Sequence, residues 1–374
     1  MSDTAYLDPR SGRTYSLDTP RWCGDDGAPL LLTDLPGITP AQIRREERSI
    51  WRYAAALPFV PANPISMGEG CTPLIRRAYA GGEMLVKCEW FMPTASFKDR
   101  GASVMLSLLR EQGVGEVLED SSGNGGAAVS AYAAAGGLRA KILVPGGTSP
   151  AKTVQSRAAG AEIEMIPGTR QDCADAAMAQ SREIFYASHN WHPYFLQGTK
   201  TLAYELWEDL GFEAPDNVIV PCGAGSNVLG CGIGFGELVR AGQIGKLPRI
   251  FAAQPENCGP IAREALGLPA QAAVPTIAEG TSIAQPIRGP EVLQVLKDSK
   301  GGAVLLSEAE IAEAVLALAK QGLYAEPTSA QAAAAFGRLL AEGTIKPGEK
   351  TVVVLSGTGL KATPRIAELM GMVL

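Results

Sequence analysis

The chain has 374 residues, with 33 Lys plus Arg against 39 Asp plus Glu and a formal net charge of −6. That balance, with no basic run, argues against a nucleic-acid surface. No 18-residue apolar span and no charged-then-apolar leader occurs, so neither membrane spans nor a signal peptide are expected and the cytoplasm is the expected location. A hydrophobic content of 46 % with 19 % charged residues is that of a soluble protein, and the length fits two domains.

In chain order, the first fifty residues stand apart. Tyr6 to Tyr15 and Trp22 to Leu30 have the layout of a small ribbon with two knuckles, packing through Tyr6, Trp22 and Leu30–Leu32. Met84 to Trp90 then reads as a strand, ahead of the Pro93-Thr94 punctuation. Lys98 follows in Pro93-Thr94-Ala95-Ser96-Phe97-Lys98-Asp99-Arg100-Gly101, and Ala102, Val104, Met105, Leu108 and Leu109 recur behind it at helical spacing. A lysine at the turn that opens a helix is placed to form a Schiff base with a carbonyl compound.

Two glycine-rich loops come next. Ser121-Ser122-Gly123-Asn124-Gly125-Gly126 lies between the strand Glu116–Glu119 and an apolar helix from Ala127 to Ala135. Small residues with open backbone N–H groups at a helix start suit a substrate carboxylate. Gly223-Ala224-Gly225-Ser226-Asn227 follows the strand Val218–Pro221 and opens a helix near Val228. It has neither the dinucleotide GxGxxG spacing nor a P-loop ending, so it reads as a cradle for a single phosphate ester.

Between and beyond these loops strand and helix alternate. Strands are expected at Lys141–Pro145, Glu162–Ile166, Arg249–Ala253, Ala303–Leu306 and Thr351–Leu355. Helices are expected from Pro150, over Asp172–Tyr186 and over Leu196–Leu210, and Ser307 to Glu310 forms a capping box for a helix through Leu318. The alternation predicts an α/β protein with mostly parallel, helix-covered sheets.

Other chemistries fall away. The only histidines, His189 and His192, have no acidic or cysteine partner nearby in sequence, and Pro193 suggests a loop, so no metal site is expected. No GxSxG elbow and no CxxC occur, and the seven scattered cysteines read as reduced core thiols.

Lys98, the serine-asparagine loop and the glycine loop, in that order, resemble the fold-type II pyridoxal-phosphate enzymes, and most closely the threonine synthase family. Gly68-Glu69-Gly70-Cys71-Thr72-Pro73-Leu74 is similar to that family's GEGxTPL element. Leu196 to Thr201 is similar to its LEGxKT stretch, and Leu355 to Lys361 to its C-terminal LTGHGLK signature. The resemblance implies two sheets with pyridoxal phosphate in the cleft between them and Lys98 as the Schiff-base lysine. It implies Asn124 on the cofactor's phenolic oxygen, Gly223, Ala224, Gly225, Ser226 and Asn227 on its phosphate, and Ser356 at the ring nitrogen. Ser121, Ser122, Gly123, Asn124 and Gly125 would bind the substrate. A neutral hydroxyl at the ring nitrogen favours elimination or replacement over transamination. The expected boundaries are 1–50 for the extension, 51–92 with 206–374 for a larger cofactor-binding domain, and 93–205 for a smaller α/β domain. Some family members carry zinc-binding cysteine pairs in the extension. Here Asp8 and Ser11 take the first pair's place and only Cys23 remains of the second, which implies a zinc-free relic.

Two departures bear on substrate. Where the family commonly has an arginine before the LEGxKT stretch, this chain has Phe195, and Gly125 replaces a common threonine. An arginine binds phosphate bidentately and a phenylalanine cannot. Arg157, Arg170, Lys200 and Arg288 are the candidates to supply the missing charge. The resemblance implies the threonine synthase reaction, O-phosphohomoserine plus water to threonine plus phosphate. The alternative is a β-eliminating or β-replacing enzyme, or ammonia-lyase, acting on a hydroxy- or amino-substituted amino acid such as threonine or serine. A non-catalytic role on the same scaffold is disfavoured by intact Lys98, Asn124 and Ser356. The expected partners are a small amino-acid substrate and a second copy of the chain in a homodimer.

Overall fold

Two mostly parallel sheets emerge from the strand–helix alternation in the computed structural model, which describes residues 4–372. The chain divides into two compact units, one running to Gly70 and resuming over Lys98–Thr201, the other formed by Cys71–Phe97 and the chain from Leu202.

The first unit holds a four-stranded parallel sheet in the order Glu162–Ile166, Arg139–Pro145, Glu116–Glu119, Phe185–Tyr186. Its core gathers Val117, Ile142 and Val144 with the buried faces of the helices Lys98–Glu111 and Asn124–Gly136. The N-terminal ribbon is a three-stranded antiparallel sheet of Tyr6–Leu7, Thr14–Tyr15 and Leu31–Leu32. Tyr6 and Leu30 join that core fully buried, while Trp22 packs edge-on to Tyr186 and Trp191 at 5.2 and 5.4 Å. In the first knuckle Asp8 accepts the Arg10 N–H at 2.8 Å and the Ser11 hydroxyl, closing the turn through side-chain hydrogen bonds.

The expected helix over Asp172–Tyr186 is corrected. It spans Arg170–Gln180, and Phe185–Tyr186 instead pairs in parallel with Val117–Leu118. Backbone groups at a sheet edge find partners there that a longer helix would forfeit. The expected Leu196–Leu210 helix is two, Pro193–Thr199 and Thr201–Asp209, and Pro193 opens the first rather than marking a loop. Proline suits the first helical position, where its missing N–H costs nothing.

The second unit holds a six-stranded sheet in the order Gly302–Leu306, Arg249–Pro255, Asn217–Pro221, Thr351–Leu355, Gly82–Cys88, Leu74–Tyr79. All neighbours are parallel except the last pair. Continuous apolar strands such as Val352 to Leu355 fit a sheet covered on both faces. The Ser307–Glu310 capping box is present and starts the helix Glu308–Ala319. No described helix is long and apolar enough to cross a membrane.

Candidate active site

Lys98 is the first residue of the helix Lys98–Glu111, and glycines explain how that helix sits. A Cβ on Gly198 would come within 2.0 Å of the Arg100 carbonyl oxygen, and one on Gly101 within 2.5 Å of the Phe195 ring. The helix Pro193–Thr199 therefore rests directly on the first turn of the lysine helix. Phe195, fully buried, fills the space over Gly101, with Lys98 Nζ 5.6 Å from its ring centroid. A side chain on either glycine would push the lysine turn away.

The serine-asparagine loop lies at the C-terminal end of the strand Glu116–Glu119, the end of a parallel strand where ligands bind in open α/β sheets. The helix behind it starts at Asn124 with Gly123 as its cap, a residue that offers no side-chain cap, so a helix N-terminus of the kind that suits an anion faces this loop. Gly126 has a packing reason, since a Cβ there would lie 1.9 Å from the Ser121 carbonyl oxygen. Gly125 has another: its Cβ would meet His189 Nδ1 at 2.7 Å.

His189 itself is held by Glu119. Glu119 Oε2 accepts the His189 backbone N–H at 3.0 Å and lies 3.0 Å from Nδ1, while Oε1 accepts the Asp120 N–H at 2.9 Å. Asp120 in turn accepts the Tyr186 hydroxyl at 2.8 Å. Burial pushes the Glu119 and Asp120 carboxyls up. Burial, then the nearby Lys98 ammonium, holds the His189 imidazole well below its ordinary range. The ring's hydrogen bond to Glu119 is made at Nδ1.

In the second unit the glycine loop caps the helix Ser226–Arg240. Gly225, at φ +96°, is the N-cap and offers no side-chain cap, and a Cβ on it would strike Val292 at 2.2 Å. Only glycine fits both the backbone angle and the space. Asn227 is 3 % exposed, and neither its Nδ2 nor its Oδ1 has a hydrogen-bond partner among the described residues. A buried amide in that state is costly unless a ligand pairs with it. A phosphate matches the helix N-terminus, its dipole and the Asn227 donor, so the loop fits a phosphate-bearing cofactor.

Ser356 ends the strand Thr351–Leu355, buried, with Oγ 3.1 Å from Ser329 Oγ. Ser329 also donates to the Gly357 carbonyl at 3.0 Å and accepts the Gly357 N–H at 2.8 Å. Beside it, the Phe97 N–H donates to the Ser356 carbonyl at 2.9 Å, and Ala95 turns the chain at φ +64°. A non-glycine residue in that region is strained, and the strain sits in the turn that leads to Lys98.

The first unit thus carries Lys98 and Ser121–Gly125, and the second carries Gly223–Asn227 and Ser356. Sequence reasoning missed Glu119 and Ser329, and it set His189 aside for want of a local acidic partner. Glu119, alone among these, left a signal: a carboxylate closing an apolar strand just before a glycine loop. Of the basic residues considered for the missing charge, Lys200 is fully buried and donates to the Ala56 carbonyl at 2.8 Å.

A family model described as pyridoxal-phosphate dependent enzyme matches residues 65–357. Threonine synthase from Methanocaldococcus jannaschii is 33 % identical over 371 residues, covering 94 % of this chain and 91 % of that protein. Threonine synthase from Synechocystis is 32 % identical, covering 88 % of each. Among solved structures, threonine deaminase isoform 2 from Solanum lycopersicum superposes with a TM-score of 0.71 at 22 % identity, covering 95 % of both chains. A fungal L-serine ammonia-lyase from Rhizomucor miehei gives 0.69 at 21 % identity, over 82 % of this chain and 99 % of that one. At those identities the two structures speak to the fold alone.

Proposed function

The chain belongs to the pyridoxal-phosphate-dependent enzymes and is a lyase of the threonine synthase type, and on that premise we propose how its residues divide the work. Lys98 would hold the cofactor through its amine, Gly223 to Asn227 its phosphate, Asn124 its phenolic oxygen and Ser356 its ring nitrogen. When bound, the cofactor supplies an electron sink for the pair released at the substrate's Cα. Lys98 takes the α-proton at Nζ, and the loop from Ser121 to Gly125, at a helix N-terminus, orients the substrate carboxylate. The buried Asn227 amide, without a protein partner, is the observation that carries the cofactor part of this reading.

The leading substrate is O-phosphohomoserine, supported by the threonine synthases at 32–33 % identity over most of the chain. The second reading, a β-hydroxy amino acid such as threonine or serine, is favoured by the buried apolar Phe195 and by Lys200 being spent on a backbone carbonyl. Incubation with O-phosphohomoserine, threonine and serine separately, with phosphate, threonine and keto acid measured, decides between them. Phosphate and threonine in equal amounts support the first, and keto acid from threonine or serine alone supports the second. The reading extends to a cytoplasmic homodimer, and light scattering on the purified protein tests the dimer.

A further inference from the structure

The two departures from the family pattern, Gly125 and Phe195, flank one imidazole. A Cβ on residue 125 would collide with the His189 ring, and the Phe195 ring packs edge-on to it at 5.7 Å. The positions where the family offers a hydroxyl and a guanidinium thus enclose a histidine whose Nδ1 is held by a buried carboxylate. We propose that His189, oriented by Glu119, is the acid–base group for the oxygen on the substrate's Cβ.

This rests on the reading of Lys98 given above and adds a residue to it. The Glu119 carboxylate accepts two backbone N–H groups as well as facing Nδ1; these contacts oppose the burial that pushes its carboxyl up, and they favour the Nδ1–H tautomer. Nε2 is then left with a lone pair, on a ring whose Nδ1 edge lies against Gly125 of the carboxylate-binding loop. As water adds, its oxygen forms the bond to Cβ, the pair of the Cα–Cβ double bond moves to Cα where Lys98 returns a proton, and the water's proton passes to Nε2. The imidazolium so formed lies against Glu119, an arrangement of base and orienting carboxylate that recurs in acid–base catalysis. In the opposite direction Lys98 takes the α-proton, the released pair forms the Cα–Cβ double bond, and the Cβ–O bond breaks with its electrons on oxygen. Nε2 returns the proton and water leaves. Water addition completes the threonine synthase reaction, and water loss begins a hydroxy-amino-acid lyase reaction, so both substrate readings need this group. Lys98, Asp120 and Arg170 are the other charged groups that act on the pair, and none replaces Glu119 at Nδ1.

The chain's two histidines make the first test direct. In the cofactor-free protein labelled with 15N-histidine, His192 accepts the Tyr194 N–H at Nδ1 and should be the Nε2–H tautomer, whereas His189 should be the Nδ1–H tautomer. Glu119→Gln should abolish the His189 signature, and an Nε2–H tautomer in the unmodified protein would overturn the proposal. The second test uses cofactor-loaded protein with L-threonine in heavy water and in 18O-water. His189→Gln should retain α-proton exchange while oxygen exchange and keto-acid formation fall by about 100-fold, the usual scale for one acid–base group. Equal loss of both reactions, no loss of either, or a wild type that exchanges the α-proton but never the oxygen would each overturn it. A wild type in which borohydride fixes no cofactor on Lys98 fails at the earlier reading instead.

Discussion

One oxygen of Glu119 secures His189 twice, accepting its backbone N–H and facing its Nδ1, each at 3.0 Å. The two residues are 70 positions apart, one ending a central strand and the other in the loop before the helix that braces Lys98. Removing that carboxylate leaves buried donors without an acceptor. Glu119→Ala should cost about 3 kcal/mol of folding stability and Glu119→Gln about 1 kcal/mol, read from denaturant unfolding of the cofactor-free protein. Equal stability of all three would mean the pair contributes nothing to the fold.

Asn227 offers a cleaner probe of the phosphate cradle than the loop glycines. Substituting Gly225 would strain a backbone at φ +96° and strike Val292, so a loss of cofactor there would have two causes. The Asn227 side chain has no hydrogen-bond partner to lose among the described residues. Asn227→Asp places a negative charge where the phosphate is expected and should weaken cofactor retention at least about tenfold, roughly 1.4 kcal/mol. Cofactor retention by dialysis and absorbance measures this, and unchanged retention would move the phosphate elsewhere.

The close packing beneath Lys98 predicts a stability effect at a residue that touches no ligand. Gly198→Ala puts a methyl group 2.0 Å from the Arg100 carbonyl, against backbone that cannot swing aside. A loss of about 3 kcal/mol is expected, at the upper end for an overpacked site. Chemical denaturation with and without cofactor would show it, and a neutral outcome would mean the two helices are further apart.

Thiol chemistry gives a prediction with a definite sign. All seven cysteines are thiols; Cys23 and Cys71 are half-buried and the other five buried. Burial pushes Cys88 and Cys222 up to about 12 and Cys173 up to about 11. A raised thiol pKa means less thiolate at a given pH and slower alkylation. At pH 8 iodoacetamide should label at most Cys23 and Cys71 in the native protein and all seven after unfolding. Rapid labelling of Cys222, which adjoins the glycine loop, would contradict its burial.

Local chemistry made most of the scaffold legible. Thr351–Leu355 is an apolar, β-branched run, and Glu162–Ile166 alternates polar and apolar residues, both patterns that read as strands. Lys98 and the two loops stand out because glycine and small residues between a strand and a helix leave few local alternatives. What was not legible depends on distant partners. Phe185–Tyr186 looks helical until Val117–Leu118 offers its edge. His189 looks solitary until the strand end at Glu119 reaches it across the fold. Phe195 reads as a departure in a binding site, yet in three dimensions it is also core, filling the space that Gly101 leaves open.

The central claim is that Lys98 carries the cofactor. The purified protein should be yellow, and after borohydride reduction and proteolysis the cofactor should be found on the peptide that contains Lys98. Lys98→Ala should yield no reducible adduct while the cofactor-free protein remains folded. An adduct on another lysine, or one that persists in Lys98→Ala, would contradict the account.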